Sequence, residues 1–294
     1  MRKSLLSVAI FGALTLPAVA FAAEEAASDW AFSANTALTS DYYVRGLSQT
    51  YHKTAIQGGF DAEHSSGFFA GVWASNISSD TFPDANMELD LYAGYGGEFG
   101  ESGIGYSVGV IGYTYPGGRW GDCTACTKAD LVTPVSDNDW NTYEANFGLS
   151  YGYVSGQVST TLGNWFGLDK GTGYTDDTKF STYVELNAEY PFGDGWSVIG
   201  HVGHLNVKAK LAASIAATTP NGEDDLDYTD YKLALAKSFS LAGSEGWAAE
   251  LAYVGASDSG YWSEKGWGGS SFNGRAEVAD LADDRFTFTV SRSF

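Results

Sequence analysis

Basic side chains are scarce in this sequence: 16 Lys and Arg stand against 36 Asp and Glu, a formal charge of −20. A polyanion needs a basic surface, so nucleic acid is excluded as a natural partner. Cysteine is scarcer, with only Cys123 and Cys126 present. That excludes a disulfide scaffold and leaves no second pair to complete a tetrahedral zinc site. No segment after the N-terminal stretch reaches 18 uninterrupted apolar residues, which excludes a spanning helix. Proline is rare too, at six residues, yet 15% aromatic content and 37 Gly do not make a disordered profile. The metalloprotease pattern His-Glu-x-x-His does not occur.

What is present is alternation. In the last nine residues, Phe286, Phe288, Val290 and Phe294 share one face of a strand, and Thr287, Thr289, Ser291 and Ser293 share the other. A closing strand with an apolar face and a terminal ring is the habit of outer-membrane barrels, so Phe286, Phe288, Val290 and Phe294 are expected to close the barrel and signal its assembly, pairing with Trp30–Leu38. Arg292 interrupts the apolar face near the strand end, where a long cation can snorkel to headgroups.

About twelve segments share this period of two. They are expected at 30–47, 54–63, 68–76, 87–96, 104–115, 140–152, 154–165, 180–190, 196–205, 231–239, 247–253 and 286–294. The fourth is the clearest: Met87, Leu89, Leu91, Ala93 and Tyr95 alternate with Glu88, Asp90, Tyr92 and Gly94. Short Gly-, Ser- or Pro-rich turns near 65, 99–103, 153, 191–195 and 240–245 alternate with long polar stretches at 116–139, 167–178, 206–228 and 257–284. The expectation is an all-β, transmembrane, antiparallel up-and-down barrel of about 12 strands, with short periplasmic turns and long extracellular loops. A soluble sandwich is disfavoured, because every strand offers a ringed apolar face. In lipid an open edge would leave backbone groups unsatisfied.

The other terminus predicts export. Met1-Arg2-Lys3, an apolar stretch from Leu5 to Leu16 and Ala20-Phe21-Ala22 have the form of a cleaved signal peptide over residues 1–22, ahead of one barrel domain at 23–294. Losing Arg2 and Lys3 leaves 14 bases against 36 acids, a charge of −22. The location expected is the bacterial outer membrane, with its lipid, lipopolysaccharide and assembly machinery as partners. Oligomeric state is not legible.

The runs Ser33–Gln49, Gln57–Asp61, Gly71–Asn76, Glu88–Tyr95, Tyr113–Gly117, His201–His204 and Asp230–Leu233 resemble the TorF-like porins of proteobacterial outer membranes over nearly all of the mature chain. The resemblance implies a channel barrel without catalytic residues. The loop around Cys123 and the stretch 209–227 depart from the family pattern.

From the face opposite the apolar one, the expected pore lining is Asp41, Arg45, Asp61, Glu63, Glu88, Asp90, Glu144, Glu185, Glu189, Lys232 and Glu250. Low-dielectric walls focus the field of such carboxylates and enrich cations, so small cationic or neutral hydrophilic solutes are the expected cargo. Two other outcomes stand beside this. The carboxylates could pair off into a closed, stiff lumen centred on Arg45, or the barrel could be a non-conducting structural or adhesive surface protein. A hydrolase is the least favoured reading. On a strand His201 faces the lumen and His204 the membrane, so they do not share a metal. A small local disulfide between Cys123 and Cys126 is expected to brace its loop. The acidic stretches at 176–177, 223–227 and 280–284 read as solvated surface, with no metal and no cofactor expected.

Overall fold

The computed structural model describes residues 28–123, 126, 131–217, 222, 224–257, 260–263, 267 and 278–294. The expected leader at 1–22 and the acidic residue Glu223 lie outside them. Fourteen strands follow in chain order: β1 (Trp30–Thr39), β2 (Tyr43–Val44), β3 (Leu47–Ser48), β4 (Ala55–His64), β5 (Phe68–Asn76), β6 (Met87–Glu98), β7 (Ile104–Thr114), β8 (Thr142–Tyr151), β9 (Val154–Thr161), β10 (Thr182–Gly193), β11 (Trp196–Asn206), β12 (Tyr228–Leu241), β13 (Ser244–Ser257) and β14 (Arg285–Ser293). Twelve of them, β1 and β4 to β14, form a closed antiparallel barrel, while β2 and β3 pair only with each other.

Closure follows from the two terminal strands. β1 pairs with β4 along its whole length and with β14 from Asn35↔Ser293 to Thr39↔Thr289. No barrel edge is left open, which is the condition for a sheet to sit in hydrocarbon. The outward residues of each strand are large and apolar, and they remain exposed: Ile56 at 68%, Phe32 at 63%, Leu91 at 56%, Phe286 at 72%. Leaving so many large side chains in water would forfeit ~1.5–3 kcal/mol each. Against lipid they forfeit nothing, so the band is the membrane-facing wall.

The short-turn rim carries rings. At the short-turn end Tyr153 meets Tyr190 edge-on at 5.3 Å and Phe192 stacks with Trp196 at 6.5 Å. Arg292 lies at this same end. Its guanidinium sits over the rings of Trp247 and Phe294, 5.3 and 4.4 Å from their centroids, and bonds the Ser244 hydroxyl. A cation on the lipid face is thus held among rings at the interface.

The inside-outside alternation makes a sharp prediction at the middle of β13. Leu251 is half-exposed on the outer face, whereas its neighbour Glu250 faces in and pairs with Lys232. Leu251→Arg is expected to cost ~2–4 kcal/mol in the urea-dependent folding of the barrel into lipid vesicles. Glu250→Gln should cost markedly less; equal losses at both positions would contradict the assigned faces.

The first expected segment, 30–47, is not one strand. β1 ends at Thr39 and the chain bends inward through Ser40 and Asp41. The reason lies at the next turn. Arg45 and Gly46 both take left-handed conformations (φ 48° and 74°), the pair of angles that closes a two-residue hairpin, here between β2 and β3. The segment expected at 154–165 also stops early, at Thr161, and Trp165 enters a 3₁₀ turn packed among loop residues. The last hairpin is longer than expected, running from Tyr228 to Ser257.

Candidate functional site: the lumen and its inward hairpin

The β2–β3 hairpin fills the middle of the barrel. Its tip crosses from β1 to walls on the far side. The Arg45 guanidinium donates two hydrogen bonds to the Glu144 carboxylate on β8, at 2.9 and 2.7 Å, and lies 4.1 Å over the Tyr183 ring on β10. Gly46 presses on β12 and β13 so closely that a Cβ there would meet Asp230 Cβ at 2.6 Å and the Gly255 carbonyl at 2.8 Å. Glycine is therefore required twice over at this position, by its backbone angle and by the contact.

A carboxylate clasps the base of the hairpin. Asp41 Oδ1 accepts from the hydroxyls of Ser48 (2.7 Å) and Thr50 (2.8 Å), while Oδ2 lies 2.8 Å from His52 Nδ1. The clasp is tied upward to the last loop, because Ser48 N donates to the Leu281 carbonyl and the Tyr43 hydroxyl to the Asp283 carbonyl. Asp41 and Arg45 therefore reach the interior on this inserted loop and not from a barrel strand. The difference arises because the left-handed pair reverses the chain where continued alternation would have carried it outward.

The other residues singled out in the sequence face the interior from the strands. On β6, Glu88 accepts from the Tyr115 hydroxyl at 2.9 Å, and Asp90 is buried two residues along. Glu88 Oε2 and Asp90 Oδ1 have no hydrogen-bond partner among the described residues. On β4, Asp61 accepts from the Tyr92 hydroxyl, and Glu63 is exposed nearer the short-turn end. Glu185 on β10 accepts from Gln157 at 3.2 Å and Asn187 at 3.3 Å, with Glu189 further toward that rim. Lys232 and Glu250 pair at 2.7 Å across β12 and β13.

Tyr183, His201 and Asp230 complete the constellation. Tyr183 is a hub: beneath Arg45 its hydroxyl donates to Asp230 at 2.9 Å and stands 3.1 Å from His201 Nε2. His201 spans Asp230 (2.8 Å) and Asn187 (2.6 Å), while His204 on the outer face touches Thr229. The two histidines thus lie on opposite sides of the wall.

Above the hairpin the long loops bring together a ring cluster that alternation could not reveal. Trp120 stacks near Trp140 at 4.3 Å and Trp267 at 5.3 Å; Phe82 lies 4.4 Å from Tyr115, and Trp165 lies 4.8 Å from Phe166. One signal for it was available. Trp120, Trp262 and Trp267 lie within the long polar stretches, with Trp140 and Trp165 at their edges, and solvated loops have little use for tryptophan. Cys123 and Cys126 form a disulfide beside this cluster, and both are buried. Outermost are exposed ion pairs such as Arg119–Asp137, whose hydrogen bond holds the Asp137 carboxyl below its ordinary range.

The hairpin divides the lumen. Toward the long loops lies a cavity of about 50 Å³ walled by rings. Toward the short turns lies a polar one of about 130 Å³, bordered by Asp41, Lys232, Glu250, Thr287, Thr289 and Ser291. The pattern Gly-x-Ser-x-Gly occurs at 105–109 and 148–152, but its serines sit in β7 and β8. A nucleophile elbow needs a strand-to-helix turn, which neither has.

A closed barrel of twelve antiparallel strands, apolar outside and polar within, defines a membrane-spanning β-barrel. The chain belongs to the Gcw_chp family, described as bacterial proteins of unknown function, whose model matches residues 23–294. No curated protein matches the sequence. Among solved structures it is similar to a KdgM porin in complex with disordered oligogalacturonate, with 9% identity and a TM-score of 0.47 over 89% of this chain and 99% of that one. It is also similar to the NanC porin (9%, TM-score 0.45, 90% and 99%). A third is Pseudomonas aeruginosa OccK2 (OpdF) in complex with glucuronate (14%, TM-score 0.37, 82% and 57%). At these identities and scores the likenesses carry no argument about cargo.

Proposed function

We propose that this protein is an outer-membrane channel that passes small cationic or neutral hydrophilic solutes through a narrow acidic lumen. The narrower kinship with TorF-like porins, export by a cleaved leader, and partnership with lipopolysaccharide and the assembly machinery belong to the same reading. One observation carries it: inside a closed barrel, the two strongest bases are already matched, Arg45 by Glu144 and Lys232 by Glu250. Asp61, Glu63, Glu88, Asp90, Glu185 and Glu189 remain on the inner face without a Lys or Arg partner among the described residues. Carboxylates left over in a low-dielectric wall attract cations and repel anions.

The test is a reversal potential across a KCl gradient in planar bilayers. The zero-current voltage should have the sign of cation preference, and an anion-selective sign would defeat the charge argument. A second reading, a non-conducting surface barrel, is favoured by the filled mid-lumen: the hairpin stands between compartments of about 50 and 130 Å³. Absence of single-channel steps from protein that is folded by heat-modifiable gel migration would select it.

A further inference from the structure

The cavity between the hairpin and the long loops has a chemistry of its own. Its walls include Trp120, Trp140, Trp165, Trp262, Phe82 and Phe166, and among the described residues its charged lining is Arg45, Glu144 and Glu88. Arg45 and Glu144 neutralise each other in a bidentate pair. Glu88 is left. It is 1% exposed, it accepts from the Tyr115 hydroxyl and has the Tyr42 hydroxyl beside it, and its Oε2 has no well-formed hydrogen bond among the described residues. A carboxylate taken out of water without a counter-charge is costly, and the faces of Trp and Phe carry negative potential. Both features call for the same occupant, a positive charge with a greasy skin.

We infer that this cavity is a binding site for the head of a compact alkylammonium cation, with Glu88 as counter-ion and the indole faces of Trp120, Trp140, Trp165 and Trp262 as its cage. A neutral apolar molecule would satisfy the rings and leave Glu88 unmatched. A hydrated metal ion would meet apolar walls in place of oxygen ligands. The site is independent of conduction: binding is expected whether or not the lumen passes ions.

The experiment uses the full chain, folded in detergent, and reads tryptophan fluorescence during titration with tetramethylammonium chloride, with sodium chloride at matched ionic strength and tert-butanol as a neutral molecule of similar shape. A saturable change is expected with tetramethylammonium alone. Glu88→Gln keeps the acceptor for Tyr115 and removes the charge; it should weaken binding by roughly tenfold or more. Trp165→Phe removes an indole N–H that has no partner among the described residues and shrinks one π-face, and should weaken binding by a few-fold. Heat-modifiable migration verifies that each variant is folded. No saturable change with tetramethylammonium, an equal change with tert-butanol, or unaltered affinity in a folded Glu88→Gln protein would each overturn the assignment.

Discussion

Replacing Tyr42–Thr50 with a short Gly-Ser link should raise single-channel conductance several-fold while leaving the barrel folded. The hairpin spans the lumen from β1 to β8, β10 and β12, so it obstructs the barrel at mid-height. It contributes nothing to the barrel's own ladder, because β2 and β3 pair as strands only with each other. Removing it opens the cross-section without creating an edge. A twelve-stranded barrel lies between the filled eight-stranded and the open sixteen-stranded kinds, so its width alone allows a water-filled path. If conductance stayed at the level of the unmodified protein, the restriction would belong to the ring cluster above.

The second large effect concerns the pair at the hairpin tip. Arg45→Ala should lower the barrel's stability in urea by ~3–5 kcal/mol, because it strands a carboxylate that has lost its water. The Arg45 and Glu144 side chains are only 13% and 3% exposed. Replacing both, as Arg45→Met with Glu144→Leu, should recover most of that loss, since a buried ion pair and a well-packed apolar pair are often nearly equivalent. Arg45→Lys should behave more like alanine than a conservative change would suggest. A single ammonium cannot make the bidentate contact and cover the Tyr183 ring at once. An unchanged urea midpoint in Arg45→Ala would show that Glu144 regains water through a loosened hairpin, and the pair would then be a latch with no share in global stability.

Strand positions were legible because their signal is local and repetitive. Met87 to Tyr95 alternates without a break, and β6 carries that alternation through to Glu98. The error came at Trp30–Leu47, where alternation was carried past Thr39, at which β1 ends. Its cause is two backbone angles at Arg45 and Gly46. An Arg-Gly dipeptide permits that turn without demanding it, so the hydrophobic pattern gave no warning. Arg45 could be picked out as the centre of a carboxylate network, but its partner could not, because Glu144 is 99 residues away. The hub at Tyr183 and the gathering of Trp120, Trp140, Trp165 and Trp267 were hidden for the same reason: sequence spacing says which face a residue takes, not which distant residue shares it.

Local alternation alone specified a cylinder: the number of strands, which of their faces meets lipid, and the closure of the last strand on the first. Each of these depends on a two-residue period and on the rule that hydrocarbon tolerates no unpaired backbone. What occupies the cylinder was decided only in three dimensions. A loop that folds inward and loops that pack over it are selected by contacts between chain segments far apart, where the closeness of Gly46 to β12 and the match of Arg45 to Glu144 outweigh any local preference.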